Sequence, residues 1–197
     1  MKTIQQLFSL FTLTCLLVLG SACNSETAQE ESTKLSTELE PENKMQSMTA
    51  VAVLSPKSNS SLSGTVTFVQ DNDQVVMKAE VSGAGANNTQ AIHIHEAGDC
   101  SADDGTSAGG HWNPTGQPHG KWGDEAFHIG DIGNLQTDAQ GNARIERTTD
   151  LWCVGCGDPN RDVVGKAIIV HEGPDDFSSQ PSGAAGPRVG CGVIDIQ

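Results

Sequence analysis

Basic side chains are scarce in this chain: 11 Lys and Arg stand against 25 Asp and Glu, giving a formal net charge of −14. Nothing resembles a basic stripe, so nucleic-acid binding is excluded as a function. Long apolar runs are missing too. The stretch from Leu7 to Leu19 holds about 13 residues, short of the roughly 20 that span a bilayer. No apolar stripe at helical spacing is long enough to support an α-helical architecture. There is one CxxC, Cys153 and Cys156. Without a second such pair or a βαβ pattern, a zinc ribbon and a thioredoxin-like site are excluded.

The 197 residues amount to one ordinary domain plus terminal extras. Lys2, the apolar stretch after it, and Gly20, Ser21 and Ala22 read as an export signal peptide over 1–22. Cys23 follows directly, as the lipidated first residue of a lipoprotein would, although Gly20 stands where leucine is more usual; plain cleavage nearby is the alternative. Residues 23–47 are rich in Ser, Thr and Glu, bury nothing, and read as an acidic disordered tether. The folded domain is therefore expected over 48–197, exported to the periplasm or cell envelope and lipid-anchored to a membrane through Cys23.

Within 48–197 short alternating apolar runs recur, predicting an all-β fold. Strands are expected near 48–54, 64–70, 74–81, 90–96, 131–137, 141–148, 165–171 and 190–196. Val75, Met77, Ala79 and Val81 would share one buried face. The turn-like QDND and DAQGN segments predict antiparallel hairpins between the second and third strands and between the fifth and sixth. Two long segments, 97–130 and 172–189, break the pattern and read as functional loops on a rigid scaffold.

All six histidines lie between His93 and His171. In AIHIHE, His93 and His95 alternate with Ile92 and Ile94, so a strand puts both imidazoles on one face. His111, His119, His128 and Asp131 fall in the Gly- and Pro-rich loop, and His171 ends the apolar run VVGKAIIVHE. A loop that long needs a reason to be ordered, and metal coordination supplies one. The ligands divide by type. Imidazoles with a carboxylate suit tetrahedral zinc, whereas an all-imidazole site suits copper.

The segments HIHEAGDC, SAGGHWNP, FHIGDIGN, VHEGPDDF and GPRVGCGVI together resemble the metal and disulfide segments of the copper/zinc superoxide dismutase family. The resemblance covers about residues 48–197 and implies an eight-stranded Greek-key β-barrel or sandwich with two long functional loops. It implies copper on His93, His95, His111 and His171, and zinc on His111, His119, His128 and Asp131, with His111 as the bridge. Asp175 would link His93 to His119, and Arg188 would attract and orient the anionic substrate. It also implies a Cys100–Cys191 disulfide, whose loop of about 90 residues would contribute on the order of 4 kcal/mol in the chain-entropy model. The implied reaction is disproportionation of superoxide to oxygen and hydrogen peroxide by redox-cycling copper, with His111 delivering a proton. Family members pair through different surfaces or remain single, so monomer and homodimer are both open.

Cys153 and Cys156 are an addition to the family pattern. A local disulfide, a redox pair and half of a further metal site are the alternatives, and a local structural disulfide is expected. Trp112 and Trp122 are expected to pack loops. The excess of acid opposes an anionic substrate at long range. Screening over about 8 Å lets the metals, Arg188 and Lys121 or Lys166 set the field at the site. The 176–188 loop has no charge between its ends and is not expected to steer substrate. A metal buffer of the same fold would need neither Arg188 nor a bridging histidine. A two-histidine, one-carboxylate iron site using His93, His95 and Glu96 fails, because Glu96 follows His95 and faces the other way.

Overall fold

The computed structural model describes residues 48–197; the expected signal peptide, Cys23 and the expected tether lie outside the described residues. Eight strands follow one another as β1 (Thr49–Pro56), β2 (Ser63–Asp71), β3 (Gln74–Ser82), β4 (Thr89–His95), β5 (Gly133–Gln136), β6 (Ala143–Thr149), β7 (Ala167–His171) and β8 (Arg188–Ile196). They form one antiparallel sheet in the order β5-β4-β7-β8-β1-β2-β3-β6. The architecture is the all-β fold that the alternation predicted and the nearly closed Greek-key barrel that the family resemblance implied.

The alternation explains the core. In β3, Val75, Met77, Ala79 and Val81 are buried while Gln74, Lys78 and Glu80 face water. Ala50, Ala52 and Leu54 from β1, and Val66 and Phe68 from β2, meet them inside. Trp152, in the connection from β6 to β7, lies edge-on to Phe68 and donates its indole N–H to the Ile129 carbonyl at 2.8 Å. β4 and β7 differ, being buried along nearly their whole length. Ile92 pairs with Val170 and Ile94 with Ile168 on the core side, and His93 pairs with Ile169 on the other. The outer face carries its own small apolar cluster of Ala108, Ala167, Ile169 and Cys191, roofed by the 97–130 loop.

Two expectations need correction. The 138–142 turn is present, capped by the Asp138 carboxylate, but β5 and β6 do not pair as a hairpin; they are the two edges of the sheet. β5 pairs with β4, and β6 with β3, so the turn joins strands whose partners lie elsewhere. Arg147 bridges the resulting seam, its Nε and Nη2 donating to the Ile132 carbonyl at 3.1 and 2.9 Å. Arg188 was expected in the loop but opens β8 opposite His171, beside an irregularity after Val170. A bulge there re-aims both side chains without ending the ladder. The β2–β3 hairpin forms as expected, with Asn72 in the left-handed region at its tip.

Candidate metal centre

Sheet and loops bring all six histidines together. His93 and His95 leave the outer face of β4, and His171 joins them from β7. His111 arrives by a one-residue bridge to His95 and the Trp112 N–H···O=C bond to Ile94. The ligand atoms of His93, His95, His111 and His171 all lie within 4.8 Å of one another, as do those of His111, His119, His128 and Asp131. His111 belongs to both groups.

Each imidazole of the first group is held by one nitrogen, which leaves the other free. Carboxylates and carbonyls only accept, so the held nitrogen carries the proton. His93 Nε2 donates to Asp175 Oδ2 at 2.8 Å, His95 Nδ1 to the Gly109 carbonyl at 3.0 Å, and His171 Nδ1 to the Gly186 carbonyl at 3.1 Å. Their remaining nitrogens, His93 Nδ1, His95 Nε2 and His171 Nε2, are buried with no partner, as is His111 Nε2. An unpartnered buried polar atom costs about 1–3 kcal/mol. Four converging on one point form an all-imidazole ligand set, which fits copper. Burial drives the His93 pKa down to about 4 and His171 to about 3, and moves His95 the same way, so these ligands are neutral at pH 7.

The second group gathers around a carboxylate. His111 Nδ1 is 2.8 Å and His128 Nδ1 3.2 Å from Asp131 Oδ1, and His119 Nδ1 is 3.0 Å from Oδ2. The last contact lacks hydrogen-bond alignment, leaving His119 Nδ1 unsatisfied. Three imidazole nitrogens and a carboxylate oxygen fit tetrahedral zinc. Burial lowers the His119 pKa, but its contacts with Asp131 and Asp175 outweigh this and push it up to about 9. A metal taking its place there would release a proton.

Asp175 joins the two groups: Oδ2 accepts from His93 and Oδ1 from His119 at 2.9 Å. Asn134 clamps its backbone in both directions, at 2.8 and 2.9 Å. Gln180 does the same for His119, accepting its N–H and donating to its carbonyl, both at 2.9 Å. Gly183, at φ 70°, is needed here, because a Cβ would collide with the Asp175 carboxylate and stand 2.7 Å from His119 Nε2. The Arg188 guanidinium donates to the carbonyls of Gly105 at 2.8 Å and Gly109 at 2.7 Å, so Gly109 holds Arg188 and His95 at once. It makes no ion pair with Asp175 or Asp176 among the described residues.

Of the other singled-out residues, Cys100 is bonded to Cys191 and Cys153 to Cys156. Glu96 accepts the Gly110 N–H, apart from both groups. Lys166 sits over the Trp112 ring, 5.4 Å from its centre, and Lys121 lines a shallow surface pocket with Arg147. Trp112 is buried in the main core, and Trp122 packs on its edge. Asn134, Gln180, Gly183 and the two glycine carbonyls escaped the sequence reading. Backbone acceptors carry no side-chain signature, and the amides act on backbone rather than on metal.

Fold and site together define a β-barrel metalloprotein with two adjoining ligand sets, suited to copper and to zinc, on its outer face. The family model "Copper/zinc superoxide dismutase (SODC)" matches residues 62–194. The chain is 42% identical over 155 residues to a Superoxide dismutase [Cu-Zn] of Talaromyces marneffei, covering 75% of this chain and 97% of that one. It is 38% identical over 133 residues to Superoxide dismutase [Cu-Zn] 2 of Aquifex aeolicus (strain VF5), covering 66% and 78%. The crystal structure of the clock protein EA4 superposes with a TM-score of 0.66 at 34% identity, covering 76% of this chain and 94% of that one. The chain belongs to the copper/zinc superoxide dismutase family. It is an enzyme whose substrate is superoxide and whose cofactors are copper and zinc.

Proposed function

We propose that His111 bridges the two metals and that the enzyme removes superoxide outside the cytoplasm. In this reading His93, His95, His111 and His171 hold copper, and His111, His119, His128 and Asp131 hold zinc. The observation that carries it is His111, which presents Nε2 unpartnered toward the first group and Nδ1 toward Asp131 in the second. When bound, copper would supply the one-electron redox chemistry and zinc a fixed positive charge beside His111. His111 Nε2 carries a proton to the reduced substrate, and solvent supplies the second, so two superoxide ions and two protons become oxygen and hydrogen peroxide. Arg188 presents the anion-binding charge, pre-set by its two carbonyl partners so that no ordering is left for the encounter. Asp175 fixes the tautomers of His93 and His119.

The proposal extends to the rest of the chain. Residues 1–22 are a signal peptide, Cys23 is lipidated, 23–47 form the tether, and 48–197 the catalytic domain, anchored in the periplasm or cell envelope as a monomer or homodimer. The N-terminal sequence pattern supports this part. Intact mass tests the anchor: a mature chain that begins at Cys23 without added lipid would remove it.

Stopped-flow decay of superoxide tests the catalytic part, comparing residues 24–197 loaded with copper and zinc, the metal-free protein, and Arg188→Ala. Decay that requires copper and slows in the variant is expected. Stoichiometric metal uptake with no decay above free-copper controls would make the protein a metal buffer instead.

A further inference from the structure

The Cys153–Cys156 loop takes no part in the binuclear centre, yet its chemistry is that of a ligand set. The sulfurs and one Asp162 carboxylate oxygen lie within 4.8 Å of one another. Cys153 is buried, while Cys156 is exposed to a reagent in solvent.

The disulfide is not the only thing shaping this loop. Asp162 Oδ1 accepts the N–H groups of Gly155 at 2.9 Å and Val164 at 3.1 Å, and Oδ2 accepts that of Gly157 at 2.8 Å. Backbone bonds run from the Cys153 N–H to the Arg161 carbonyl at 2.8 Å and from the Val163 N–H to the Cys153 carbonyl at 3.1 Å. Trp152, Val154 and Val163 anchor the flanks in the core. When the S–S bond opens, these contacts keep the loop backbone in place, so the two freed sulfurs move apart to van der Waals separation but remain next to a carboxylate.

We propose that Cys153, Cys156 and Asp162 form a third metal site, closed while the disulfide is intact and able to take Zn2+ once a dithiol has reduced it. A thiolate of the dithiol attacks the exposed Cys156 Sγ and Cys153 leaves as thiolate. The second thiol of the reagent then displaces Cys156, so the dithiol ends as its cyclic disulfide and the protein holds two thiols. Zinc binding displaces their two protons. Two thiolates and a carboxylate, with water in the fourth position, suit Zn2+ better than Cu+, which has little affinity for the oxygen.

The test uses the full chain with its copper and zinc sites filled, treated with dithiol and freed of it without air. Two alkylatable thiols beyond those present before reduction, mapping to Cys153 and Cys156, are expected, followed by uptake of one further equivalent of Zn2+. Co2+ in its place should give a thiolate charge-transfer band. Cys156→Ala, whose side chain is at the surface, should take up no extra metal. Asp162→Asn keeps an oxygen for the backbone amides and should bind at least about tenfold more weakly. The site is ruled out if these cysteines resist reduction, if the reduced protein takes up no added zinc, or if Cys156→Ala keeps the extra equivalent. Unchanged affinity in Asp162→Asn would remove Asp162 from it.

Discussion

The two halves of the barrel are made of the same kind of strand but use their outer faces differently. β1, β2 and β3 bury one face and leave the other to water, so their sequences alternate and Val53 stays largely exposed. β4 and β7 bury both faces, one in the core and one beneath the metal loops. The first half needs only side chains that exclude water. The second also needs polar groups matched in the dry. Stability and chemistry are thereby separated by strand, and the separation can be tested from either side.

His95→Ala should have the largest effect, reducing superoxide decay to the free-copper background while circular dichroism still reports the barrel. Loss of the fold would mean that the two halves are not separable. Phe68→Ala should cost about 3–5 kcal/mol of stability, from burial lost plus the cavity left, yet leave the copper spectrum of the folded fraction unchanged. Removing Cys100 and Cys191 together should cost roughly 2–5 kcal/mol in thermal or denaturant unfolding. It should also lower activity, because the bond ties the 97–130 loop, with its Arg188-binding carbonyls, to β8.

Asp175→Asn should weaken metal binding about 10–100-fold in chelator competition with little change in the barrel. Its pH signature is separate. In the metal-free protein, His93 and His171 have folded pKa values of about 4 and about 3, below the ordinary 6.5. The unfolded chain takes up those protons first, so stability falls as pH drops from 6.5 toward 4. His119, raised to about 9, stabilises below 6.5, and its contribution is lost as pH rises through 9. Denaturant midpoints against pH should show both slopes in the metal-free protein; in the loaded one the alkaline slope should vanish, because metal displaces the His119 proton, while the acid slope should steepen, because bound histidines cannot take up protons in the folded state. Val53→Thr, on the exposed face, should change stability by less than about 0.5 kcal/mol.

The same division explains what the sequence disclosed. Val75 to Val81 announced a one-sided strand, and His93 and His95 a polar face on a buried one, because period-two alternation is a local signal. The histidine groups were legible through ligand type and family resemblance. The β5–β6 pairing was misread because a turn motif says that the chain reverses, not which neighbours its strands choose; that depends on β3 and β4, far away in sequence. Gln180 and Asn134 were hidden for a related reason. Their partners are backbone groups 61 and 41 residues distant, and no spacing rule links an amide to a remote peptide.

Arg147 gives the seam a second meaning. A sheet that closes through a guanidinium rather than a ladder keeps two strand edges with unspent backbone groups, shielded by the shortness of β5 and one half-buried charge. Replacing that single residue would free the Ile132 carbonyl, next to Asp131 of the second ligand group, so the residue that closes the barrel also steadies the floor of the metal centre.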